Sequence, residues 1–435
     1  MNDVLLLSFY FPPFTGIEVV RAVKWTKYLP QAGWRPIVLT TAAEGDLEPR
    51  MASDLRGVEV VRTAEPFLPK PGGSGAAGKR RRVLPVWIKR WMQSTVFFPD
   101  KYRSWIRAGR ATVPQLQALY PEIRVVVATG YPWSSFLLAE QVAAALRVPF
   151  VCDLRDAWTL NPSKVWNTTR HRRQEERVLQ AASAVILATE SMRLEYVSQY
   201  PYLARKFHVI RNGYDPEDRE EAALLRRMLR EGAGDSEPRK LRVVYTGTFN
   251  GHDVPPADNQ QSPYYFLLAL QQLKQNVPDL ATRLEVILAG RVPFGELVQE
   301  MGLSDIVQMP GHVGVEDTLE LQAGADLLLL FVGAANRHVL TGKVFEYMAT
   351  GNPILAMIPR ETELEKLLHR YGPAWVTGTN DVVQIADHLQ GLLEEKQVSG
   401  TPDWAFVDGF SRAVQTTRLA ALLEEVSTGH ETARV

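Results

Sequence analysis

Thr341-Gly342-Lys343-Val344-Phe345-Glu346-Tyr347-Met348-Ala349-Thr350-Gly351-Asn352-Pro353-Ile354-Leu355 carries the densest chemical signal in the chain. A helix starting near Gly342 would present free backbone N–H groups and a positive dipole end, the arrangement that holds a diphosphate. Lys343 adds a charge at that end. Glu346, one turn further on, has the two acceptor oxygens that a ribose diol asks for. The same residues also describe an amphipathic helix with a surface Lys–Glu pair at i,i+3. A second group, Asp153, Arg155 and Asp156, follows the apolar run Phe150-Val151-Cys152. There Asp156 could orient or deprotonate a hydroxyl, and Arg155 could pair with a phosphate or a carboxylate. The alternative for these residues is an internal Arg–Asp ion pair that shapes the turn. No Asp-any-Asp pair, His-Glu-x-x-His pattern or cysteine cluster occurs, so no metal ligand is assigned. Ser134 and Ser135 read as helix caps rather than nucleophiles, because no glycine-flanked elbow surrounds them.

These residues need a scaffold, and the apolar pattern supplies one. Val4-Leu5-Leu6-Leu7 reads as a buried strand, followed by a Pro/Gly loop, a helix from about Glu18 to Gln31, and the run Ile37-Val38-Leu39. Strand, helix, strand in so short a span is a βαβ unit and predicts a parallel sheet. The alternation recurs at Val125-Val126-Val127, Phe150-Val151-Cys152 and Ala184-Val185-Ile186-Leu187, with a helix from about Ser134 to Leu146. A second series starts at Leu241 and continues through Leu284–Leu288, Ile306–Gln308, Leu327–Phe331 and Pro353–Ala356. Between the series lies the polar, Gly-rich stretch 231–238, which places a boundary near 235. The expectation is two doubly wound α/β domains, 1–235 and 236–435, with ligands at the carboxyl ends of their strands. Segments 71–78, 232–238 and 252–262 read as loops.

The chain has 435 residues, enough for two such domains, and its 46% hydrophobic and 23% charged composition is globular. Forty-nine basic residues balance forty-nine acidic ones, so overall charge gives no reason to expect nucleic-acid binding. A single cysteine, Cys152, excludes an internal disulfide framework and suits a reducing compartment. Val4 to Phe11 is too short to span a membrane and has no basic start or cleavage site. The expected location is the cytoplasm.

Several segments, in order, resemble GT-B retaining glycosyltransferases of the family-4-like group. Residues 341–355 look like that group's donor-binding helix, "GK-x-x-EY" followed by "G-x-P-I-L-A". Ser8-Phe9-Tyr10-Phe11-Pro12-Pro13-Phe14-Thr15-Gly16 is similar to its first strand and Pro/Gly loop, and Pro132-Trp133-Ser134 to its "P-W-S" helix start. Asp153-Leu154-Arg155-Asp156-Ala157-Trp158 resembles "D-x-R-D-x-W", and Asn212-Gly213-Tyr214-Asp215 the passage out of the first domain. Tyr245-Thr246-Gly247-Thr248 resembles the first strand and loop of the second domain.

The resemblance implies two Rossmann-like domains facing across a cleft, with a helix near 413–425 crossing back to the first. It implies a nucleotide diphosphate-sugar donor on the second domain, a hydroxyl acceptor on the first, and retention. Carried over by position, Thr341, Gly342 and Lys343 would face the diphosphate and Glu346 the ribose. His312 and Val313 would lie against the base, while Gly16 and Thr248 would lie in loops that approach the donor. Asp156, Asp153 and Arg155 would serve the acceptor side. His338 stands where the group often has a second glutamate against the donor sugar. The group's paired basic residues after the second domain's first strand are absent, and Arg291 could replace one. No cofactor beyond the donor and no metal is expected. Polysaccharide, glycolipid and natural-product pathways all fit. The rivals are a nucleotide-sugar epimerase on the same fold and a non-catalytic nucleotide-sugar-binding partner. This sequence shows no lysine environment for pyridoxal phosphate, which counts against a phosphorylase, and no G-x-G-x-x-G in its first loop, which counts against a nicotinamide dehydrogenase.

Residues 79–110 hold ten Lys/Arg and one acidic residue, Asp100, interleaved with Trp87, Trp91, Phe97, Phe98, Tyr102 and Trp105. Three readings apply. One is peripheral contact with anionic lipid at the inner membrane face, which would bring the site near a lipid-linked acceptor. Another is a site for an acidic acceptor. The third packs the aromatics into the first domain under a solvated basic face. No nucleic-acid-binding module accompanies the patch.

Overall fold

The computed structural model describes residues 1–64, 98–161, 166–231, 240–249, 253–258, 260–394 and 400–432. Two parallel sheets organise them. The first contains β1 (Asn2–Leu7), β2 (Trp34–Thr41), β3 (Glu59–Thr63), β4 (Ile123–Gly130), β5 (Phe150–Leu154), β6 (Ala184–Leu187) and β7 (Phe207–Val209), in the order β3-β2-β1-β4-β5-β6-β7. The second contains β8 (Leu241–Thr246), β9 (Leu284–Ala289), β10 (Val307–Gly311), β11 (Leu327–Phe331), β12 (Ile354–Met357) and β13 (Ala374–Thr377), in the order β10-β9-β8-β11-β12-β13. The central strands are apolar on both faces and wholly buried, as Leu327-Leu328-Leu329-Leu330 illustrates, because helices cover each sheet on two sides. Strand order reverses between β1 and β4 in one sheet and between β8 and β11 in the other. At such switch points an open α/β sheet binds ligands beyond its carboxyl edge.

The compact units are Met1–Arg211 with Arg412–Val435, and Asn212–Ser411. The division falls before the Gly-rich stretch, not at 235. Helix Pro216–Glu231 explains the difference, since its Ala222 and Leu225 pack with Leu319 and Ala323 of the second unit. The final helix, Arg412–Thr432, buries Leu419, Leu422 and Leu423 in the first unit beside Val4, Val125 and Val151. Gln415 also accepts a hydrogen bond from the Arg211 N–H at 2.9 Å. The composition shift therefore marks a polar connection inside the second unit.

The first helix spans Ile17–Tyr28 and tightens into a 3₁₀ turn over Leu29–Ala32 before Gly33. Pro30 cannot donate to an α-helical ladder, which accounts for the early end relative to Gln31. Strands β3, β7 and β13 escape a reading for apolar runs. They are short or lie at sheet edges, and β3 alternates exposed and buried residues. Loop segments 71–78 and 232–238 lie outside the described residues, as do Trp87, Trp91 and Phe97. Tyr102 and Trp105 are buried in the core of the first unit, as the third reading of the basic segment requires.

Candidate active site

In the second unit the carboxyl edge is drawn together around Gly247. The Gly247 N–H donates to Ala289 O at 2.8 Å, the Phe249 N–H to Arg291 O at 3.1 Å, and the Gly290 N–H to Gly311 O at 2.7 Å. The loops after β8, β9 and β10 are thus tied in sequence. Gly247 has φ +151° and Gly290 has φ +112°, and neither has room for a side chain. A Cβ on Gly290 would overlap the Gly247 carbonyl oxygen. A Cβ on Gly247 would overlap Lys343 Cε and lie 2.6 Å from its Nζ. Glycine at 247 therefore lets the Lys343 ammonium rest on the β8 loop.

Lys343 enters from helix Gly342–Thr350, the first element after β11. Thr341 is the N-cap, and its hydroxyl accepts from the Lys343 N–H at 3.1 Å. Burial lowers the Lys343 pKa below the ordinary lysine value, opposed by the nearby Glu346 charge. Lys343 Nζ also stands 5.9 Å from the centroid of the Tyr245 ring. Glu346 is half-buried one turn along the same helix.

Tyr347 fixes the height and rotation of this helix. It is buried, and its hydroxyl accepts from the Thr246 N–H at 3.1 Å, at the end of β8. Burial pushes that phenol up to about 12. Gln322 donates to the Thr246 hydroxyl at 2.8 Å, and the Asn352 amide donates to Gln322 O at 2.7 Å. A chain of buried polar contacts thereby locks the helix start against the β8 loop. The arrangement offers an ammonium, the N-terminal amides of a capped helix and a carboxylate one turn away, all at the switch point.

Thr341, Gly342, Lys343 and Glu346 are therefore brought together with the loop that contains Thr248. Thr248 is exposed. Arg291 and His312 are exposed at the ends of β9 and β10, and Val313 packs on the core that includes Leu340 and Val344. His338 is exposed in the loop between β11 and the helix. Among the described residues, no group of three or more His, Cys, Asp or Glu side chains could hold a metal ion.

In the first unit the expected pairings are redistributed. Asp153 is fully buried and forms a two-pronged ion pair with Arg21, Nη2–Oδ1 2.9 Å and Nε–Oδ2 3.0 Å. The Thr129 hydroxyl donates to the same carboxylate at 2.9 Å. Arg21 also donates to Ile210 O at 2.9 Å and Arg211 O at 3.1 Å, holding the chain where it leaves β7. Asp153 is thus enclosed, with both carboxylate oxygens engaged by Arg21 and Thr129. Arg155 is not in an Asp pair. Its guanidinium donates to Gly130 O at 3.1 Å, Glu18 O at 2.6 Å and Tyr131 O at 3.1 Å, clamping the loop after β4 to the first helix. Gly16, at φ +122°, is the N-cap of that helix and is exposed. Asp156 reaches solvent at this edge.

Ser134 and Ser135 do not cap helix Ser134–Leu146 with their side chains. Asp100 does so from a distant segment, accepting from the Ser134 N–H at 2.8 Å and hydroxyl at 3.0 Å. Burial pushes the Asp100 carboxyl up to about 6. Arg21 and Asp100 were missed as site-building residues. Arg21 had a signal, a single charge inside the apolar run Val19-Val20-Arg21-Ala22-Val23. Asp100 had only its isolation within a basic segment.

Both units have a Rossmann-like strand order with a switch point at the second carboxyl edge furnished for an anion. Solved structures share this fold. HepE of Anabaena, in complex with UDP and glucose, superposes with a TM-score of 0.60 at 16% identity, covering 98% of this chain and 100% of that one. The fold is GT-B. WaaG, a glycosyltransferase involved in lipopolysaccharide biosynthesis, gives 0.56 at 16% identity over 98% of each chain. The GT-B sucrose-phosphate synthase of Thermosynechococcus elongatus gives 0.57 at 14% identity, over 100% of this chain and 98% of that one. Residues 16–218 match the model of Glycosyltransferase Family 4. No curated protein matches the chain by sequence.

Proposed function

We propose that this GT-B chain is a metal-independent glycosyltransferase. It takes a nucleotide diphosphate-sugar on its second unit and transfers the sugar, with retention, to a hydroxyl acceptor bound by its first. The observation that carries the proposal is Lys343 seated on Gly247 at the N-terminus of a helix that also presents Glu346. Family 4 similarity over 16–218 and the UDP and UDP-glucose complexes of HepE support the same reading.

In this proposal the diphosphate rests on the N–H groups of Gly342 and Lys343 and on the Lys343 ammonium. Charge that develops on the leaving diphosphate is met by groups already in place, so little reorganisation is needed. Glu346 accepts the ribose hydroxyls. Gly311, His312 and Val313 line the base, largely through main-chain groups, and Arg291 and Thr248 border the diphosphate. His338 serves the donor sugar. On the first unit Asp156 orients the acceptor hydroxyl, while Arg155 and Asp153 hold the loops around it. The acceptor oxygen attacks the anomeric carbon on the face the diphosphate leaves, and a diphosphate oxygen takes the acceptor proton. A strong protein base is then unnecessary. One buried cysteine suits a cytoplasmic setting, and no helix among the described residues is long and apolar enough to cross a membrane. Surface polysaccharide or glycolipid synthesis is the proposed pathway class.

The test is proton NMR of α-linked UDP-sugars incubated with the protein, where slow transfer to water stands in for transfer to the acceptor. Free sugar appearing first as the α-anomer is the expected result. First-formed β-anomer would contradict retention. Conversion of one donor sugar into another without release would instead identify an epimerase.

A further inference from the structure

The carboxyl edge of the second unit holds a small pocket whose lining includes neither Lys343 nor Glu346. It exists because the segment between β8 and helix Tyr264–Asn276 does not turn straight back. The described part of that segment, 253–258 and 260–262, reaches the loop after β11, where the Ala335 N–H donates to Asp258 O at 2.8 Å. The Gln261 amide donates to the Tyr245 hydroxyl at 3.0 Å. The Tyr245 ring in turn meets Lys343 Nζ, 5.9 Å from its centroid, and the edge of Phe331 at 5.3 Å. Between this segment and the ends of β11, β12 and β13 lies a space of about 60 Å³.

Phe331, Ala334 and Met357 give the pocket apolar walls, and Asp258, Thr379 and Asn380 give it polar ones. Gln260 and Ser262 also line it but are engaged, Gln260 with Asp253 and the Ala257 N–H, Ser262 with the Tyr264 N–H. The Asp258 and Asn380 side chains have no hydrogen-bond or ion-pair partner among the described residues. No lysine, arginine or histidine is among the described lining residues. A water needs about 10–15 Å³ of such space, so the pocket holds a group of a few heavy atoms and not a sugar ring. An uncharged polar group can donate to the Asp258 carboxylate and exchange hydrogen bonds with the Asn380 amide. A carboxylate there would meet like charge at Asp258 with no cation to offset it.

We propose that this pocket takes a small uncharged polar arm of the donor sugar, the hydroxymethyl or acetamido group of a neutral hexose, and that Asp258 turns hexuronic acids away. The inference rests on the nucleotide-sugar reading and narrows it to neutral hexoses. Connectivity puts the sugar arm at this place. Lys343, Tyr245 and Phe331 form a line of neighbours from the diphosphate position to the pocket, and Gly333 and Ala334 in its lining begin the loop that carries His338.

The experiment is isothermal titration of the full chain with UDP, UDP-glucose, UDP-N-acetylglucosamine and UDP-glucuronic acid. The wild type is compared with Asp258→Asn and with Asp258→Ala/Asn380→Ala. Asp258 holds Ala335 through its main chain and is exposed, so melting temperatures should not change. Juxtaposed like charges are costly, so the wild type should bind a neutral sugar form about tenfold or more tighter than UDP-glucuronic acid. Asp258→Asn should close most of that gap by strengthening the glucuronate complex, with UDP affinity unchanged. In the alanine pair, similar weakening of both neutral sugars identifies the hydroxymethyl arm they share, and weakening of UDP-N-acetylglucosamine alone identifies the acetamido arm. With UDP bound, the proposal is overturned by equal wild-type affinity for glucose and glucuronate forms, by a gap that survives Asp258→Asn, or by neutral-sugar binding that the alanine pair leaves untouched. Each of those results leaves the nucleotide-sugar reading standing. A wild type that binds neither UDP nor any of the three sugars overturns that reading, and this inference with it.

Discussion

Asp153→Ala separates a structural carboxylate from a catalytic one. Removing it strips the buried Arg21 guanidinium of its two-pronged carboxylate partner. Breaking a buried pair from one side costs about 3–5 kcal/mol, because the remaining charge stays desolvated. For a unit of this size each kcal/mol lowers the melting temperature by about 2–4 °C. The first unit should therefore melt about 6–20 °C lower. Differential scanning calorimetry with and without UDP is the assay, since the proposed UDP site lies in the second unit and its response should persist. Arg21→Met/Asp153→Leu, which removes both charges, should recover much of the loss, and the cycle over the single and double variants measures the coupling. A variant that melts like the wild type but has lost turnover would refute this reasoning and return Asp153 to the chemistry.

Gly247→Ala should weaken UDP binding at least tenfold in isothermal titration, because the new methyl displaces Lys343 from the β8 loop; unchanged affinity would remove Lys343 from the diphosphate. A pH series gives another check. Burial holds the Lys343 pKa below 10.5, so its charge is complete below the lowered value and is lost as pH rises through it. UDP affinity should therefore fall with rising pH from an onset below 10.5, and more steeply in the wild type than in Lys343→Met.

Much of this was legible in the sequence because the two signals involved are local. Buried parallel strands such as Leu327–Phe331 are continuous apolar runs, and a capped helix start such as Thr341-Gly342-Lys343 is read from adjacent residues. What could not be read depends on partners far apart in the chain. Asp153 looks like Asp156 on paper, yet one is enclosed by Arg21 and Thr129 while the other reaches solvent. Ser134 looks like a cap until Asp100 supplies a carboxylate from 34 residues earlier. The unit boundary was misplaced for a related reason. Composition marks where the chain is polar, whereas helix Pro216–Glu231 is assigned by what it packs against.

The central claim, a nucleotide diphosphate-sugar site built on Lys343 and Glu346, is tested most directly by thermal stabilisation with UDP, GDP, ADP, dTDP and CMP. Wild type and Glu346→Ala are compared. A ligand at about 100 times its dissociation constant should stabilise by about 2.7 kcal/mol, which a melting curve resolves. The account predicts that one diphosphate stabilises the wild type and that Glu346→Ala, folded, loses the response. A folded wild type that responds to none of them, or a response that Glu346→Ala retains in full, would contradict it.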